Sequence, residues 1–259
     1  MNQARSTRRS FLWNTLAAAG PALSAVTVSP AAGAGVEAPR NSLRVVCVGG
    51  HPDDPESGAA GTLALYAQQG HSVTVIYLTR GERGISGKSN DEAAAIRTAE
   101  CEAACKIIGA KPVFAGQIDG STESNRVRVE EMQKILAAEA PDILITHWPV
   151  DTHLDHQVAS LLAFRVYLAL KPRPHLYYFE VNTGSQSLGF TPNVYVDITS
   201  VREKKKAALA AHRSQDGEGI GRTHHEIIAN YRGREAGVAA AEAFFHLNRD
   251  VQTASLPGL

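Results

Sequence analysis

The stretch from Leu43 to Asp54 (Leu-Arg-Val-Val-Cys-Val-Gly-Gly-His-Pro-Asp-Asp) determines the fold that we predict for this chain. Its first six residues form a short run that is apolar except for Arg44, as is typical of a strand buried in a parallel sheet. Gly49 and Gly50 end this strand, and a His-Pro-Asp-Asp turn follows at once. In parallel sheets, ligand sites form where the strands end. The stretch therefore predicts a buried strand with polar, chemically useful side chains at its carboxyl end.

The rest of the chain alternates between similar apolar runs and longer segments with helical periodicity. Ser89 and Glu92 have the spacing of a capping box, which predicts that a helix begins there. This alternation is typical of parallel βαβ units. We predict one α/β domain, residues 36–259, that is Rossmann-like: a mostly parallel sheet flanked by helices, with the active site at the C-terminal ends of the strands. The further predicted strands are 73–78, 113–115, 143–146, 176–181 and 194–198, and the helices are 58–69, 89–108, 128–138, 155–170, 201–211 and 235–245.

The composition narrows the class of protein. The chain has 259 residues, of which 44% are hydrophobic, so it is long enough for one sizeable globular domain. It contains 26 basic and 26 acidic residues, so no net charge attracts nucleic acid or an anionic membrane. Three cysteines are too few for a disulfide framework, and we predict that all three are small buried apolar residues.

The first 35 residues differ from the rest. Three arginines and no acidic residue precede an interrupted apolar run, and small residues follow it. This is the pattern of a signal peptide, and the pair Arg8-Arg9 before Ser10-Phe11-Leu12 resembles a twin-arginine export signal. A membrane-anchoring helix is the alternative, but the run is short for a ~30 Å hydrocarbon core. We predict that residues 1–35 engage the export machinery, and that the mature chain is periplasmic or secreted and has no stable transmembrane segment.

A second group of polar residues follows the predicted strand 143–146. The segment from His147 to His156 (His-Trp-Pro-Val-Asp-Thr-His-Leu-Asp-His) contains three histidines and two aspartates. Imidazole nitrogens and carboxylate oxygens are zinc ligands, and a catalytic zinc site uses three of them plus water. Either segment alone is equally typical of a solvated turn whose aspartate caps a helix. Two such segments at strand ends together predict a metal site.

The chain resembles the PIG-L (LmbE-like) zinc-dependent deacetylases over nearly its whole mature length. These enzymes remove acetyl or similar acyl groups from amino sugars, and conjugates of N-acetylglucosamine are the best-known substrates. The resemblance implies zinc-dependent hydrolysis of an N-acyl group, most simply N-acetyl, on an amino-sugar conjugate. It rests on His51-Pro52-Asp53-Asp54, Leu78-Thr79-Arg80-Gly81-Glu82, Arg97-Thr98-Ala99-Glu100, His153-Leu154-Asp155-His156 and His212-Arg213-Ser214-Gln215.

The resemblance also implies roles for individual residues. The metal ligands are His51, Asp54 and His156, which hold one Zn²⁺ per chain or another divalent ion such as Fe²⁺. Asp53 is the general base. A cationic His153 stabilises the oxyanion or protonates the leaving amine, and Asp155 orients it from behind. The residues implied to contact the substrate are Arg97, Asp119 and Asp151.

The sequence departs from the family pattern at two of these places. Pro55 stands where many members have glutamate, so that the acidic residue moves to Glu56. Asp151 stands where some members have a flexible tyrosine that contacts substrate. Of the other histidines, we expect His147 to be a packed core residue, with a place next to the metal ligands as the alternative. We expect His224 and His225 to lie in a solvated loop, with a place in the lining of a cleft as the alternative.

Two other functions are consistent with parts of the sequence. Residues 81–89 resemble a phosphate-binding P-loop, but five residues instead of four separate Gly81 from Gly87, and Glu82 would repel a phosphate. A non-catalytic carbohydrate-binding protein on the same fold is the second alternative. It would have no need of the implied base and acid, Asp53 and His153.

Overall fold

The predicted first strand lies near the centre of a seven-stranded sheet with the order β3-β2-β1-β4-β5-β7-β6. A computed structural model describes residues 42–182 and 185–247. The strands from β1 to β5 run parallel, whereas β7 is antiparallel to both of its neighbours, β5 and β6. The strands are β1 Arg44–Gly49, β2 Ser72–Tyr77, β3 Lys111–Phe114, β4 Ile143–His147, β5 His175–Phe179, β6 Val194–Asp197 and β7 Ala241–His246.

Helices cover both faces of the sheet. The β1 side chains alternate between two buried clusters, Val45 and Cys47 in one, Val46 and Val48 in the other, because successive residues of a strand point to opposite faces. Residues of α1, α2 and α5 complete the first cluster, and residues of α3 and α4 complete the second. The helices are α1 Asp54–Gln68, α2 Asn90–Ile108, α3 Arg126–Glu139, α4 Leu154–Ala169, α5 Arg202–Ala210, α6 Gly217–Ile220 and α7 Glu226–Ala236, and a π-helical turn, Gly221–His225, joins α6 to α7. The prediction of a Rossmann-like, mostly parallel α/β sheet is confirmed.

Two helices begin at capping boxes, one predicted and one not. Ser89 caps α2 through a hydrogen bond from the Glu92 amide, as its spacing predicted. Helix α1 begins at Asp54, four residues before its predicted start at 58. The Glu56 carboxylate accepts a hydrogen bond from the Asp53 amide (3.2 Å), and Pro55 suits the first turn of a helix because it needs no N–H partner there. The turn His51–Asp54 is thus joined directly to α1.

The predicted helix 235–245 is wrong. Helix α7 ends at Ala236, Gly237 takes a positive φ of 74° that stops it, and residues 241–246 form strand β7. The alanines and glutamate of this segment favour a helix locally. Pairing with β5 and β6 inside the sheet overrides that preference. In the extended chain Phe244 is fully buried, and its burial stabilises the strand.

The three cysteines are free and buried, as expected. Among the described residues, no helix is long and apolar enough to span a bilayer. The export segment 1–35 lies outside the described residues, so the export signal and its boundary with the domain at residue 36 stay predictions.

Candidate metal centre

The two polar segments meet where β1 and β4 end, at the bottom of a cleft of about 510 Å³. That volume is within the range of sites for small molecules. Gly50 allows the segments to approach closely, since a Cβ there would lie 2.9 Å from His156 Cδ2 and 3.1 Å from Asp54 Oδ2. The strand-end location predicted for the site is confirmed.

The Asp54 carboxylate is the centre of the site. Its Oδ2 lies 3.1 Å from Nδ1 of His51 and 3.2 Å from Nε2 of His156, and all three side chains are buried. Burial alone would raise the pKa of Asp54, but His156 and His147 outweigh that effect and hold the pKa well below its usual range. Imidazole nitrogens thus lie on both sides of one carboxylate oxygen. Three overlapping groups in this cluster bring their ligand atoms within 4.8 Å of one another and could hold a divalent metal: Asp54/His147/His156, His51/His153/His156 and His51/Asp119/His153/Asp155.

Asp151 lies behind His156, not in the cleft. Its Oδ1 lies 3.1 Å from His156 Nδ1 and accepts a hydrogen bond from the His153 amide (2.8 Å). Its Oδ2 accepts one from Ser187, and the side chain is 0% exposed. The structure places Asp151 outside the lining of the cleft, and its expected contact with substrate stays a prediction. A carboxylate on the far nitrogen of a ligand histidine fixes the orientation and tautomer of the ring.

Asp155 and Asp119 support His51 in a similar way. Nε2 of His51 lies 3.0 Å from Asp155 Oδ2 and 3.3 Å from Asp119 Oδ1. Burial lowers the pKa of His51, but its hydrogen bonds to the three surrounding aspartates reverse this and raise the pKa well above the usual value. Asp155 was expected to orient His153, and this is wrong for its carboxylate, which contacts His51, Gly120 and Thr122. Asp119 also lines the cleft, so its predicted contact with a sugar hydroxyl stays a prediction.

His153 lies at the edge of the same cluster and lines the cleft. Its ring is stacked on that of His156 at 4.7 Å, and its Nδ1 accepts a hydrogen bond from the Asp155 amide (3.3 Å). Burial, together with the neighbouring His51 and His156, lowers the pKa of His153. This direction favours a neutral imidazole, in contrast to the cationic side chain expected from the resemblance.

Asp53 is next to Asp54 in the sequence and lines the cleft, with 28% of its side chain exposed. Its backbone has φ = 110°, which is uncommon for a residue other than glycine. Arg97 donates hydrogen bonds to the Pro52 carbonyl and to Asp53 Oδ2 (3.2 Å). Burial raises the pKa of Asp53 to about 6, although Arg97 opposes the shift. Arg97 also lines the cleft, and its contact with substrate stays a prediction.

His147 does not only pack in the core, because it contacts Asp54 and His156, two of the candidate metal ligands. Its ring is fully buried and stacked on that of His156 at 4.2 Å, and its Nε2 lies 3.4 Å from Asp54 Oδ2. Burial lowers the pKa of His147 to about 4, so the neutral ring can accept a hydrogen bond from the Gly50 amide (2.9 Å). In the sequence, the position of His147 at the end of a predicted strand was the one indication that it lies near the site.

Part of the cleft lining was not predicted as such from the sequence. It includes Gln215 and His225, which come from the last part of the chain, and Ser57 on α1. His225 is buried, so its expected place in a solvated loop is wrong; the adjacent His224 is exposed. Gln215 belongs to the motif His212–Gln215, but no local motif marks Ser57 or His225, since only the tertiary fold brings residue 225 to residue 57.

Known proteins share this arrangement of sequence and fold. The sequence model of the PIG-L family, described as GlcNAc-PI de-N-acetylase, matches residues 46–167. Diacetylchitobiose deacetylase of Thermococcus kodakarensis is 29% identical over 228 residues, which cover 80% of this chain and 84% of that protein. Probable N-acetyl-alpha-D-glucosaminyl L-malate deacetylase 2 of Bacillus anthracis is 30% identical over 189 residues, or 68% of this chain and 83% of that protein.

One relative has a different kind of activity. The 4-oxalmesaconate hydratase of Pseudomonas putida is 28% identical over 197 residues, covering 69% of this chain and 75% of that protein. Among solved structures, N,N'-diacetylchitobiose deacetylase from Pyrococcus horikoshii is 26% identical with a TM-score of 0.70, and the match covers 80% of this chain and 84% of that one. The chain belongs to the PIG-L (GlcNAc-PI de-N-acetylase) family.

Proposed function

We propose that the protein is a zinc-dependent hydrolase that removes an N-acetyl group from an amino-sugar conjugate. The observation that carries this proposal is the position of Asp54 Oδ2, 3.1 Å from His51 Nδ1 and 3.2 Å from His156 Nε2, beside the cleft-facing Asp53. Relatives named as deacetylases of diacetylchitobiose and of a glucosaminyl malate support the choice of substrate class.

The donor set fits a metal ion. His51, Asp54 and His156 would hold Zn²⁺, or another divalent ion such as Fe²⁺, and each ligand histidine has a carboxylate on its other nitrogen, as metal-binding histidines almost always do. When bound, a zinc ion lowers the pKa of a water molecule towards ~7 and polarises the amide carbonyl.

The residues beside the ligands divide the proton transfers. Asp53 has a pKa of about 6 and a partly exposed carboxylate, so it can accept a proton at neutral pH and later return it to the leaving amine. The Arg97 guanidinium holds Asp53 Oδ2 in place. His153 can donate a hydrogen bond to the developing oxyanion through its Nε2–H, because its Nδ1 accepts from the Asp155 amide.

Acetate release is the direct test. The purified chain, treated with a chelator and then reloaded with Zn²⁺ or Fe²⁺, is incubated with N-acetylglucosamine, diacetylchitobiose and a glucosaminyl malate. We expect hydrolysis to stop on chelation and to return with metal. A parallel assay measures the hydration of an unsaturated tricarboxylic acid, and so tests whether the protein has the activity of its hydratase relative. Metal-dependent hydration without acetate release would overturn the proposal.

The two alternative functions receive no support from the site. In the P-loop-like segment, the buried Glu82 carboxylate accepts hydrogen bonds from the Arg80 and Asp119 amides, so an acidic side chain that would repel a phosphate is fixed at the start of the loop. A protein that only binds carbohydrate would not need the partly exposed Asp53 beside three metal-ligand candidates. Sugar binding with no hydrolysis in any metal form would favour that alternative.

We also propose that the enzyme acts outside the cytoplasm, in the periplasm or secreted, after export by the twin-arginine route. Residues 1–35 alone support this. A fusion of those residues to a reporter that folds in the cytoplasm should be exported, and replacement of Arg8 and Arg9 by lysine should abolish export. Export that is unaffected by that replacement would contradict the twin-arginine route.

A further inference from the structure

Two chemically different groups of residues line the cleft. One is the charged metal-ligand cluster, which we call the metal side, and the other consists of neutral polar side chains from four separate parts of the chain. These neutral residues are Ser57, Asn182, Gln186, Gln215 and His225, and we call them the neutral wall. Hydroxyl and amide groups without charge are suited to the hydroxyls of a sugar, since such groups both donate and accept hydrogen bonds.

The centre of the neutral wall is a hydrogen-bonded pair. Ser57 Oγ lies 3.0 Å from His225 Nε2. Ser57 is on α1, one helical turn after Asp53, and is partly exposed to the cleft. When the hydroxyl of Ser57 donates to His225, its oxygen lone pairs are left to accept a proton from a substrate hydroxyl.

The fold holds both members of the pair in place. His225 is the last residue of the π-helical turn Gly221–His225, and such turns occur frequently at functional sites. Beneath Ser57, the buried Lys205 ammonium donates hydrogen bonds to the Ser57 carbonyl (2.7 Å) and to Glu242 (2.6 Å). A solvated loop histidine would need neither the turn nor this support.

The pair is not a nucleophile with its base. No carboxylate among the described residues hydrogen-bonds to His225, whereas a serine–histidine catalytic pair needs a third group to orient and charge the imidazole. Burial and the adjacent Lys205 lower the pKa of His225 to about 3, which makes the ring a poor base. Recognition of a neutral group is the role that remains.

We propose that Ser57 and His225 bind a hydroxyl group of the amino sugar and so determine the specificity of the site for a sugar over a simple N-acetyl amine. This inference rests on the proposed function, because it assumes that an N-acetyl sugar occupies the cleft. Ser57 is one helical turn from Asp53, so the pair lies close to the place where we propose that the amide is cleaved.

The test compares two substrates and three variants of the zinc-loaded full chain. Ser57→Ala removes the hydroxyl, and His225→Phe removes the ring nitrogens but keeps a planar ring. His224→Phe is the matched control, because His224 is exposed on the same turn. For each protein, kcat and KM are measured with an N-acetylglucosamine conjugate and with an acyclic N-acetyl amine that has no hydroxyl groups.

We expect Ser57→Ala and His225→Phe to lower kcat/KM for the sugar by about 10-fold, the value of one hydrogen bond lost at a partly buried site. The acyclic amine and the His224→Phe variant should change little. Among deoxy analogues of the sugar, the one that lacks the recognised hydroxyl should be a poorer substrate of the wild type but not of Ser57→Ala. Equal losses for sugar and acyclic amine would show a merely structural role and overturn the proposal.

Calorimetric binding of the N-acetyl sugar separates this proposal from the proposed function. If neither the wild type nor any of the three variants hydrolyses either substrate, the proposed function fails, but sugar binding can still be compared among the variants. About 10-fold weaker binding to Ser57→Ala and His225→Phe than to His224→Phe would support the pair as a hydroxyl-binding site. Equal affinity of all three variants for the sugar would exclude it.

Discussion

The two sides of the cleft differ in how they are built. The metal side comes from two short segments, 51–54 and 147–156, that directly follow adjacent parallel strands. The neutral wall comes from α1, the segment after β5, and the helical region between β6 and β7. The first side is therefore positioned by the sheet itself, and the second by packing of helices over it. We expect changes on the metal side to affect chemistry and metal binding, and changes behind the neutral wall to affect stability and substrate affinity.

The sharpest test on the metal side separates the two adjacent aspartates. Asp54→Ala should lose metal and activity together, because it removes the shared ligand. Asp53→Asn should keep the metal but lower kcat by about 10²–10⁴-fold, the usual contribution of a general base. Asparagine tolerates the positive φ of residue 53, so the turn is preserved. Elemental analysis after gel filtration gives metal content, and equal metal loss in both variants would contradict the division of roles.

The largest expected stability effect lies behind the neutral wall. Lys205→Met should lower the free energy of unfolding by about 3 kcal/mol, because it leaves the buried Glu242 carboxylate without its counter-ion. Urea denaturation measures the change. Lys204→Met is the matched control, since Lys204 is only partly buried and is adjacent on the same helix. An equal, small effect of both substitutions would mean that this ion pair does not stabilise the helical side of the cleft.

A smaller effect distinguishes the two roles considered for Asp151. Asp151→Asn should weaken metal binding by about 10–100-fold, because the carboxylate that orients His156 becomes a neutral amide. Competition with a chromogenic chelator measures the affinity, and Thr152→Ala on the adjacent exposed residue is the control. If instead KM rises while metal affinity is unchanged, Asp151 contacts substrate and the metal side extends further into the cleft than its burial indicates.

The smallest effect on stability is expected at the start of α2, away from the metal side and the neutral wall. Ser89→Ala removes the cap of α2 and should cost about 1 kcal/mol of unfolding free energy without changing metal content or KM. Thermal denaturation and the zinc assay together check this. A change in KM would show that α2, which carries Arg97, is coupled to the cleft through its first turn.

The contrast between the two sides also explains what the sequence could predict. Strand-end motifs such as His51–Asp54 are local, since a strand fixes where its next residues lie. The contacts of Asp151 and Asp155 were not predictable in the same way. Both belong to one short segment, but only the packed structure decides that Asp151 contacts His156 while the Asp155 carboxylate contacts His51.

The helical side was harder because its signals are weak or contradictory. His225 reaches Ser57 from a residue 168 positions away, through a π-helical turn that no residue pattern marked. The segment 241–246 has helix-forming alanines and glutamate, and its position between two strands decides against a helix. Sequence alone predicted the class of sheet and the histidine–aspartate cluster at the strand ends, but not the last strand and the wall that depends on it.

The position of β7 has a consequence for the order in which the domain can fold. β7 is the last described strand to leave the ribosome, yet it lies inside the sheet, and β6 pairs with no other described strand. Glu242 of β7 also accepts hydrogen bonds from the Gly61 and Thr62 amides of α1. During synthesis, β1 to β5 can associate early, whereas β6 has no strand to pair with until residues 241–246 have emerged. Completion of the sheet is therefore a late, long-range event, and it adds a contact to the helix that carries Asp54.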